Sequence, residues 1–259
     1  MKFRFVIALA LACAGVHTAS AQSLSRSEAD SFFTRLCATT TDSAKVLIDQ
    51  KLNSTAKPNE ILKLADSAEA TLGSPASPAH NEVLYTYFLQ SVVASKKLSE
   101  NDKLRPSLLL ENSQKNQVGT TAAPIAYQLP DGTTHSTQDA TTPLTLIYFN
   151  DPDCDACHKV KENIAASAFL SHLCSSNKLS IIGIYPFNDK AKWQSQSLPA
   201  FVANGWDYTQ SIDEEATYDL PTMPLFYLLD DNKTVIVKNE PSLKKIEKTI
   251  ADLISTSHN

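Results

Sequence analysis

Cysteines, basic clusters and long apolar runs are scarce in this 259-residue chain, and each scarcity excludes a class of protein. The five cysteines are too few for a small scaffold built from disulfides. The 23 lysines and arginines are outnumbered by 28 acidic residues and form no cluster, so nucleic acid and anionic membranes are poor partners. Beyond the N-terminus no segment approaches a transmembrane helix, and we expect no membrane anchor.

The N-terminus has the features of a secretory signal. Lys2 and Arg4 precede an apolar run over residues 5–14, and Ala19-Ser20-Ala21 supplies a small-x-small cleavage pattern. The run is too short to be a stable anchor, so we expect residues 1–21 to be a cleaved signal peptide and the protein to be exported. Cleavage would leave 21 basic against 28 acidic residues, a net charge of about −7, and four cysteines.

The first half of the mature chain, residues 22–116, has helical patterning. We predict helices beginning near Ser27 and at Pro58, where a proline suits the first helical position, and further helices over residues 82–98 and 102–112. Their apolar stripes are expected to form a core. The sequence therefore predicts an all-helical N-terminal domain.

Strand signals begin near residue 118, and we predict a second domain over residues 117–259. The predicted elements are a hairpin (125–129 and 133–136), a buried strand (144–149), a helix (154–173), a strand (181–185), a helix (190–203), a second hairpin (225–230 and 234–238) and a closing helix (243–254). This order predicts an α/β domain in which a central mixed sheet is flanked by helices.

A Cys154-Asp155-Ala156-Cys157 motif lies between the strand over residues 144–149 and the helix that follows. A helix N-terminus offers unpaired N–H groups and partial positive charge, which favour a thiolate. The spacing brings Cys157 within disulfide reach of Cys154. We therefore predict that Cys154 is a nucleophile and Cys157 the thiol that resolves a mixed disulfide.

The same motif also occurs in zinc sites, in haem-attachment sites and in structural disulfides. A zinc site needs two further ligands, and neither a second CxxC nor an HxxxH is present. His158 completes a CxxCH haem-attachment pattern, but the predicted strand and helix are not the usual helical setting of that motif. A permanent structural disulfide is the third. We expect no metal and no cofactor.

With these elements assigned, residues 118–255 resemble the TlpA/ResA-type thioredoxin-like proteins, the thiol–disulfide oxidoreductases that Bacteroidetes export. The matching segments are Ala123-Pro124-Ile125, the run from Leu146 to Cys157, Ile182-Gly183-Ile184-Tyr185 and the run from Tyr218 to Asp230. The resemblance implies a thioredoxin-like fold, a periplasmic location, protein thiols and disulfides as substrates, and a membrane protein as electron donor.

The resemblance also implies a substrate-binding segment. The family has a cis-proline beside its active cysteines, and Pro224 of Thr222-Met223-Pro224 matches that position. A cis bond there would leave the backbone of Met223 open to strand-like pairing with a substrate. Thr222, Met223 and Pro224 are therefore candidate substrate-binding residues.

The sequence departs from the family around the cysteines. Asp153 replaces the usual tryptophan, and with Asp151 and Asp155 it is expected to oppose a thiolate on Cys154, which favours a reductant or mild isomerase over a strong oxidant. Tyr148 occupies the strand position at which many thioredoxins have a buried carboxylate.

Two questions remain open at the level of sequence. Cys37 and Cys174 could form a disulfide or remain as two buried thiols. The alternative to an enzyme is a thioredoxin-fold binding or adaptor module whose disulfide is not catalytic.

Overall fold

The computed structural model describes residues 23–256, so the predicted signal peptide lies outside the described residues. Five helices come first: α1 (Arg26–Leu36), α2 (Thr41–Ser54), α3 (Pro58–Ala68), α4 (Glu82–Val93) and α5 (Glu100–Ser113). A π-helical turn, Glu69–Gly73, follows α3 directly. Within residues 23–256 no helix is both long enough and apolar enough to cross a bilayer.

Local sequence signals explain where these helices begin. Ser25 and Glu28 form a reciprocal capping box at the start of α1, and Pro58 occupies the first turn of α3. The apolar faces meet in one core, at the centre of which the rings of Phe33 and Phe88 pack edge to face at 5.1 Å. Helix α2 was not predicted, because only Ala44 and Ile48 of its fourteen residues are buried.

The second part of the chain contains a seven-stranded mixed sheet. Its strands are β1 (Ala126–Gln128), β2 (Thr134–Ser136), β3 (Leu144–Phe149), β4 (Leu179–Tyr185), β5 (Val202–Trp206), β6 (Leu225–Leu229) and β7 (Val235–Glu240). Their order in the sheet is β2-β1-β5-β4-β3-β6-β7. Strand β4 is parallel to β3 and β5, whereas β6 is antiparallel to β3 and β7. The predicted α/β class and both predicted hairpins are confirmed.

Four helices accompany the sheet: α6 (Asp155–Ala166), α7 (Ala168–Ser175), α8 (Lys190–Ser195) and α9 (Leu243–Thr256). Two separate clusters of buried side chains pack against the sheet, and one of them includes Ile246 and Ile250 of α9 together with Leu146 of β3. Every residue of β3 and β6 is buried, which explains why all of them except Thr145 are apolar or aromatic.

Three predicted helices are wrong in extent, and one of them, predicted over residues 82–98, ends at Val93. The helix predicted over residues 154–173 is divided at Ser167, which ends α6 and caps α7 through a bond from the backbone N–H of Leu170. The helix predicted over residues 190–203 ends at Ser195, and strand β5 follows. Pro199 explains that end, because proline lacks a backbone N–H and disfavours helix in the residue before it.

Polar contacts join the helical region to the sheet. The side chain of Lys238 on β7 is 2% exposed; it pairs with Glu82 of α4 and donates to the carbonyl of Ser113, 2.9 Å away. The Asn116 side chain donates to the carbonyl of Thr217 and accepts from the N–H of Ala123. Polar groups of the helical region and of the sheet-containing region therefore form the contacts that hold the two together.

Candidate active site

The turn between β3 and α6 is built from backbone bonds and aspartate side chains. The N–H of Asn150 donates to the carbonyl of Ile184 on β4, which fixes the end of β3. Asp151 then organises the turn, because its Oδ1 accepts from the N–H of Asp153 at 2.9 Å and its carbonyl accepts from the N–H of Cys154 at 3.1 Å. Cys154 is thereby held at the position immediately before α6.

The two cysteines of the motif differ in exposure and in contacts. Cys154 is the N-cap residue of α6, and its Sγ accepts from the N–H of Cys157 at 3.1 Å. Cys154 is partly exposed, whereas Cys157 is 2% exposed. An attacking group needs access to its target, so the arrangement suits Cys154 to nucleophilic attack and Cys157 to an internal role.

The buried position of Cys157 determines its protonation. Burial raises the pKa of the Cys157 thiol well above its ordinary value, and the hydrogen bond with Cys154 adds to that shift. Cys157 is therefore a neutral thiol near pH 7.

The Thr222-Met223-Pro224 segment lies beside this pair. The Met223–Pro224 peptide bond is cis, and the carbonyl oxygen of Met223 lies 3.7 Å from the Sγ of Cys154. Thr222 and Met223 are partly exposed and Pro224 is buried. Residues that are distant in sequence thus come together at the start of α6.

Tyr148 lies beneath the cysteines on β3. Its hydroxyl donates to the carbonyl of Cys157 at 2.9 Å, and its ring stacks on Phe226 at 5.1 Å. Burial raises the pKa of Tyr148, so the hydroxyl stays protonated and acts as a donor. It is therefore a structural group at the position where a carboxylate could accept a proton.

Lys192, a residue of α8 that the sequence analysis missed, contacts the acidic turn. Its Nζ lies 2.9 Å from Asp151 Oδ1 and 2.8 Å from Asp153 Oδ2. These hydrogen bonds, first with Asp153 and then with Asp151, raise the pKa of Lys192. Two of the three aspartates expected to oppose a thiolate therefore have a shared counter-ion, which weakens that expectation. No sequence pattern indicates this pairing, since Lys192 is close to the turn only in the folded chain.

A polar cavity of about 290 Å³ adjoins the buried cysteine. Its lining includes Cys157, Asn150, His158 and Lys161. A ring nitrogen of His158 lies 2.5 Å from the carbonyl of Pro152, so that nitrogen donates a proton to it. Among residues 23–256 no group of three or more His, Cys, Asp or Glu side chains is arranged to hold a metal ion.

The other two cysteines of the described chain are free thiols in different surroundings. Cys37 donates to the carbonyl of Ala79, 3.2 Å away, in the helical region. Cys174 packs against the core beneath the sheet, where burial raises its pKa to about 11. They do not form a disulfide with each other in this structure, and the expectation of two buried thiols is also wrong, because Cys37 is exposed and Cys174 is partly exposed.

Neither a protein-family model nor a curated protein matches this chain. Among solved structures, a thioredoxin-like protein from Bacteroides caccae ATCC 43185 matches with a TM-score of 0.81 and 29% identity, over 88% of this chain and 83% of that one. The C-terminal domain of an uncharacterized protein from Bacteroides fragilis NCTC 9343 matches with a TM-score of 0.50 and 32% identity, over 52% of this chain and 98% of that domain.

The fold and these similarities define the class of the protein. The chain has a thioredoxin-like fold and is similar to a thioredoxin-like protein of Bacteroides, in agreement with the resemblance to TlpA/ResA-type proteins that its motifs predict. The similarity to the Bacteroides caccae protein extends over 88% of the chain, which is more than the sheet-containing part alone. The helical region is thus part of what the two proteins share.

Proposed function

We propose that this chain is an exported thiol–disulfide oxidoreductase that reduces or isomerises disulfides of periplasmic proteins through Cys154 and Cys157. One observation carries the proposal: the accessible Sγ of Cys154 accepts a hydrogen bond from the N–H of Cys157 at the first turn of α6. That donor and the partial charge of the helix N-terminus both stabilise a thiolate on Cys154.

The proposed reaction transfers two electrons from the dithiol to a substrate disulfide. The Cys154 thiolate attacks one substrate sulfur, an S–S bond forms between the proteins, and the other substrate sulfur leaves as a thiolate and takes up a proton. Cys157 then loses its proton and attacks Cys154 Sγ, so that a Cys154–Cys157 disulfide forms and the second substrate thiol is released. A membrane protein that donates two electrons would restore the dithiol.

Substrate binding is proposed at Thr222, Met223 and Pro224. The carbonyl of Met223 lies 3.7 Å from the attacking sulfur of Cys154, so an extended substrate segment reaching Cys154 would run beside this backbone. Backbone hydrogen bonding would accept many protein sequences, because it does not depend on substrate side chains.

The proposed direction is reduction or mild isomerisation. A strong oxidant derives its potential from strong stabilisation of the thiolate on the nucleophilic cysteine, and the aspartates around Cys154 oppose such stabilisation. The acidic turn contributes less to this argument than its sequence suggests, because Lys192 pairs with Asp151 and Asp153.

Insulin reduction by the full mature chain, with dithiothreitol as electron donor, tests the proposal. Cys154→Ser is expected to abolish the rate above background, and Cys157→Ser to reduce it strongly because the mixed disulfide is not resolved. Cys37→Ser and Cys174→Ser are matched controls that should retain the parental rate. A folded Cys154→Ser protein with the parental rate would overturn the proposal in favour of a binding module.

A further inference from the structure

Lys192 reaches from α8 into the turn that leads to Cys154. Its single ammonium group bridges Asp151 and Asp153 at 2.9 Å and 2.8 Å, and its side chain is only 24% exposed. The helix that carries it is fixed in turn, since Asp189 caps α8 by accepting from the N–H of Lys192 at 2.9 Å. The contact is therefore a defined bridge between two elements.

The bridge acts on atoms that also shape the backbone of the turn. Asp151 Oδ1, which faces Lys192, is the same oxygen that accepts from the N–H of Asp153. The carbonyl of Asp151 accepts from the N–H of Cys154. Lys192 thus contacts the residue that positions Cys154 at the N-terminus of α6.

The bridge also changes the charge near the nucleophile. Carboxylates beside a helix N-terminus oppose the thiolate that the N-terminus favours, and a cation between them offsets part of that opposition. The other titratable groups around Lys192 are the Tyr185 hydroxyl of β4 and Asp189, and neither supplies a positive charge. The first two turns of α6 carry Asp155, His158, Lys159 and Lys161, and of the two lysines Lys161 lines the cavity that borders Asp151, Asp153 and Cys157.

We propose that Lys192 is a positioning residue for the dithiol. By bridging Asp151 and Asp153 it holds the turn in place and offsets the negative charge of the turn, which maintains the reactivity of Cys154 as a nucleophile. This inference rests on the proposed oxidoreductase function and adds to it a residue that controls the reactivity of the same site.

The test follows alkylation of Cys154 in the reduced full mature chain. Iodoacetamide is the probe, the rate at each pH is resolved by mass spectrometry of the Cys154 peptide, and circular dichroism checks the fold. For Lys192→Met we expect the midpoint of the pH–rate profile to move upward by roughly 0.5 to 1 pH unit. The rate at pH 7 should fall about two- to fourfold, because a smaller thiolate fraction is partly offset by greater nucleophilicity.

Two further variants isolate Lys192 from its surroundings. Lys192→Arg keeps the charge and should retain the parental profile. Lys190→Met is the matched control on the same helix, since Lys190 contacts Gln128 and the ring of Trp206 instead of the turn, and it should also retain that profile.

Removal of the opposing charges separates electrostatics from loss of structure. Lys192→Met combined with Asp151→Asn and Asp153→Asn keeps a side-chain oxygen for the turn and should return the midpoint to the parental value. The proposal would be overturned if the pH–rate profile of Lys192→Met had the parental midpoint. It would also be overturned if the folded triple variant were alkylated at Cys154 as slowly as Lys192→Met. Alkylation of Cys154 needs no disulfide substrate. If the parental protein failed to reduce insulin, the proposed oxidoreductase function would be overturned, whereas the role of Lys192 would still be decided by the alkylation rates.

Discussion

The backbone N–H of Cys157 donates to the Sγ of Cys154 over 3.1 Å, so that one cysteine stabilises the other at the N-terminus of α6. The donor residue is buried and the acceptor is accessible. The pair is therefore asymmetric before any substrate binds, and this asymmetry assigns the two thiols their different proposed roles.

The hydroxyl of Tyr148 should contribute to stability more than to exchange chemistry. Tyr148→Phe removes the hydrogen bond to the carbonyl of Cys157 but keeps the stacking on Phe226, so we expect a loss of about 0.5 to 1.5 kcal/mol in the free energy of unfolding. Urea denaturation of the reduced protein measures this change.

Tyr227 provides the matched control for Tyr148. It is a fully buried tyrosine on the neighbouring strand β6, and within residues 23–256 its hydroxyl has no hydrogen-bond partner. Tyr227→Phe should therefore leave the free energy of unfolding unchanged or raise it, because no bond is lost and a buried polar group is removed. Equal losses for the two variants would contradict the role given to the Tyr148 bond.

The ion pair between Lys238 and Glu82 should be important for attachment of the helical region to the sheet. Lys238→Met leaves a partly buried carboxylate without its partner, and we expect a loss of about 2 to 4 kcal/mol in the free energy of unfolding. Lys248→Met removes a pair with Asp252 in which both side chains are exposed, and it should cost less than about 1 kcal/mol. A Lys238 variant as stable as the Lys248 variant in chemical denaturation would contradict this account.

Alkaline pH should destabilise the reduced protein in part through Cys174. Burial raises the folded pKa of this thiol to about 11, above its unfolded value of about 8.5 to 9. Its contribution is fully present below the unfolded pKa and is lost as the pH rises toward 11, because the unfolded chain ionises first.

Thermal unfolding under reducing conditions measures this effect. The decline in Tm between pH 8 and pH 10.5 should be smaller for Cys174→Ala than for the parental chain. Cys37→Ala removes an exposed thiol, so it should reduce the decline in Tm by less than Cys174→Ala does. A decline in Cys174→Ala as steep as the parental one would contradict the effect of burial at this position.

The fold was predictable where consecutive residues are buried, because such positions produce a run of apolar residues in the sequence. Strand β6 is apolar throughout, and β3 is apolar except at Thr145, because both faces of the sheet are covered. The motif between β3 and α6 could be placed from that signal. Strand β5 was not predictable in the same way. It contains Asn204 and Gly205, and Gly205 is needed because a Cβ there would lie 2.8 Å from the ring of Tyr127.

The site was predictable in its residue types but not in its electrostatics. Cys154, Cys157 and the segment ending in Pro224 could be chosen from motifs, and Cys154 and Met223 are in contact in the folded chain. The contact of Lys192 with Asp151 and Asp153 depends on the packing of α8 against the turn, and no local sequence pattern predicts that packing. A charge count from the sequence alone therefore overstated the negative field at Cys154.

The most direct test of the proposed roles is to trap the mixed disulfide. Cys157→Ser, incubated with a protein that contains a disulfide, should accumulate a covalent complex that dithiothreitol releases, and mass spectrometry of its peptides should place the bond at Cys154. The reciprocal variant Cys154→Ser should form no such complex, because Cys157 is buried and its pKa is raised. A complex linked through Cys157, or equal trapping by both variants, would contradict the assignment of Cys154 as the nucleophile.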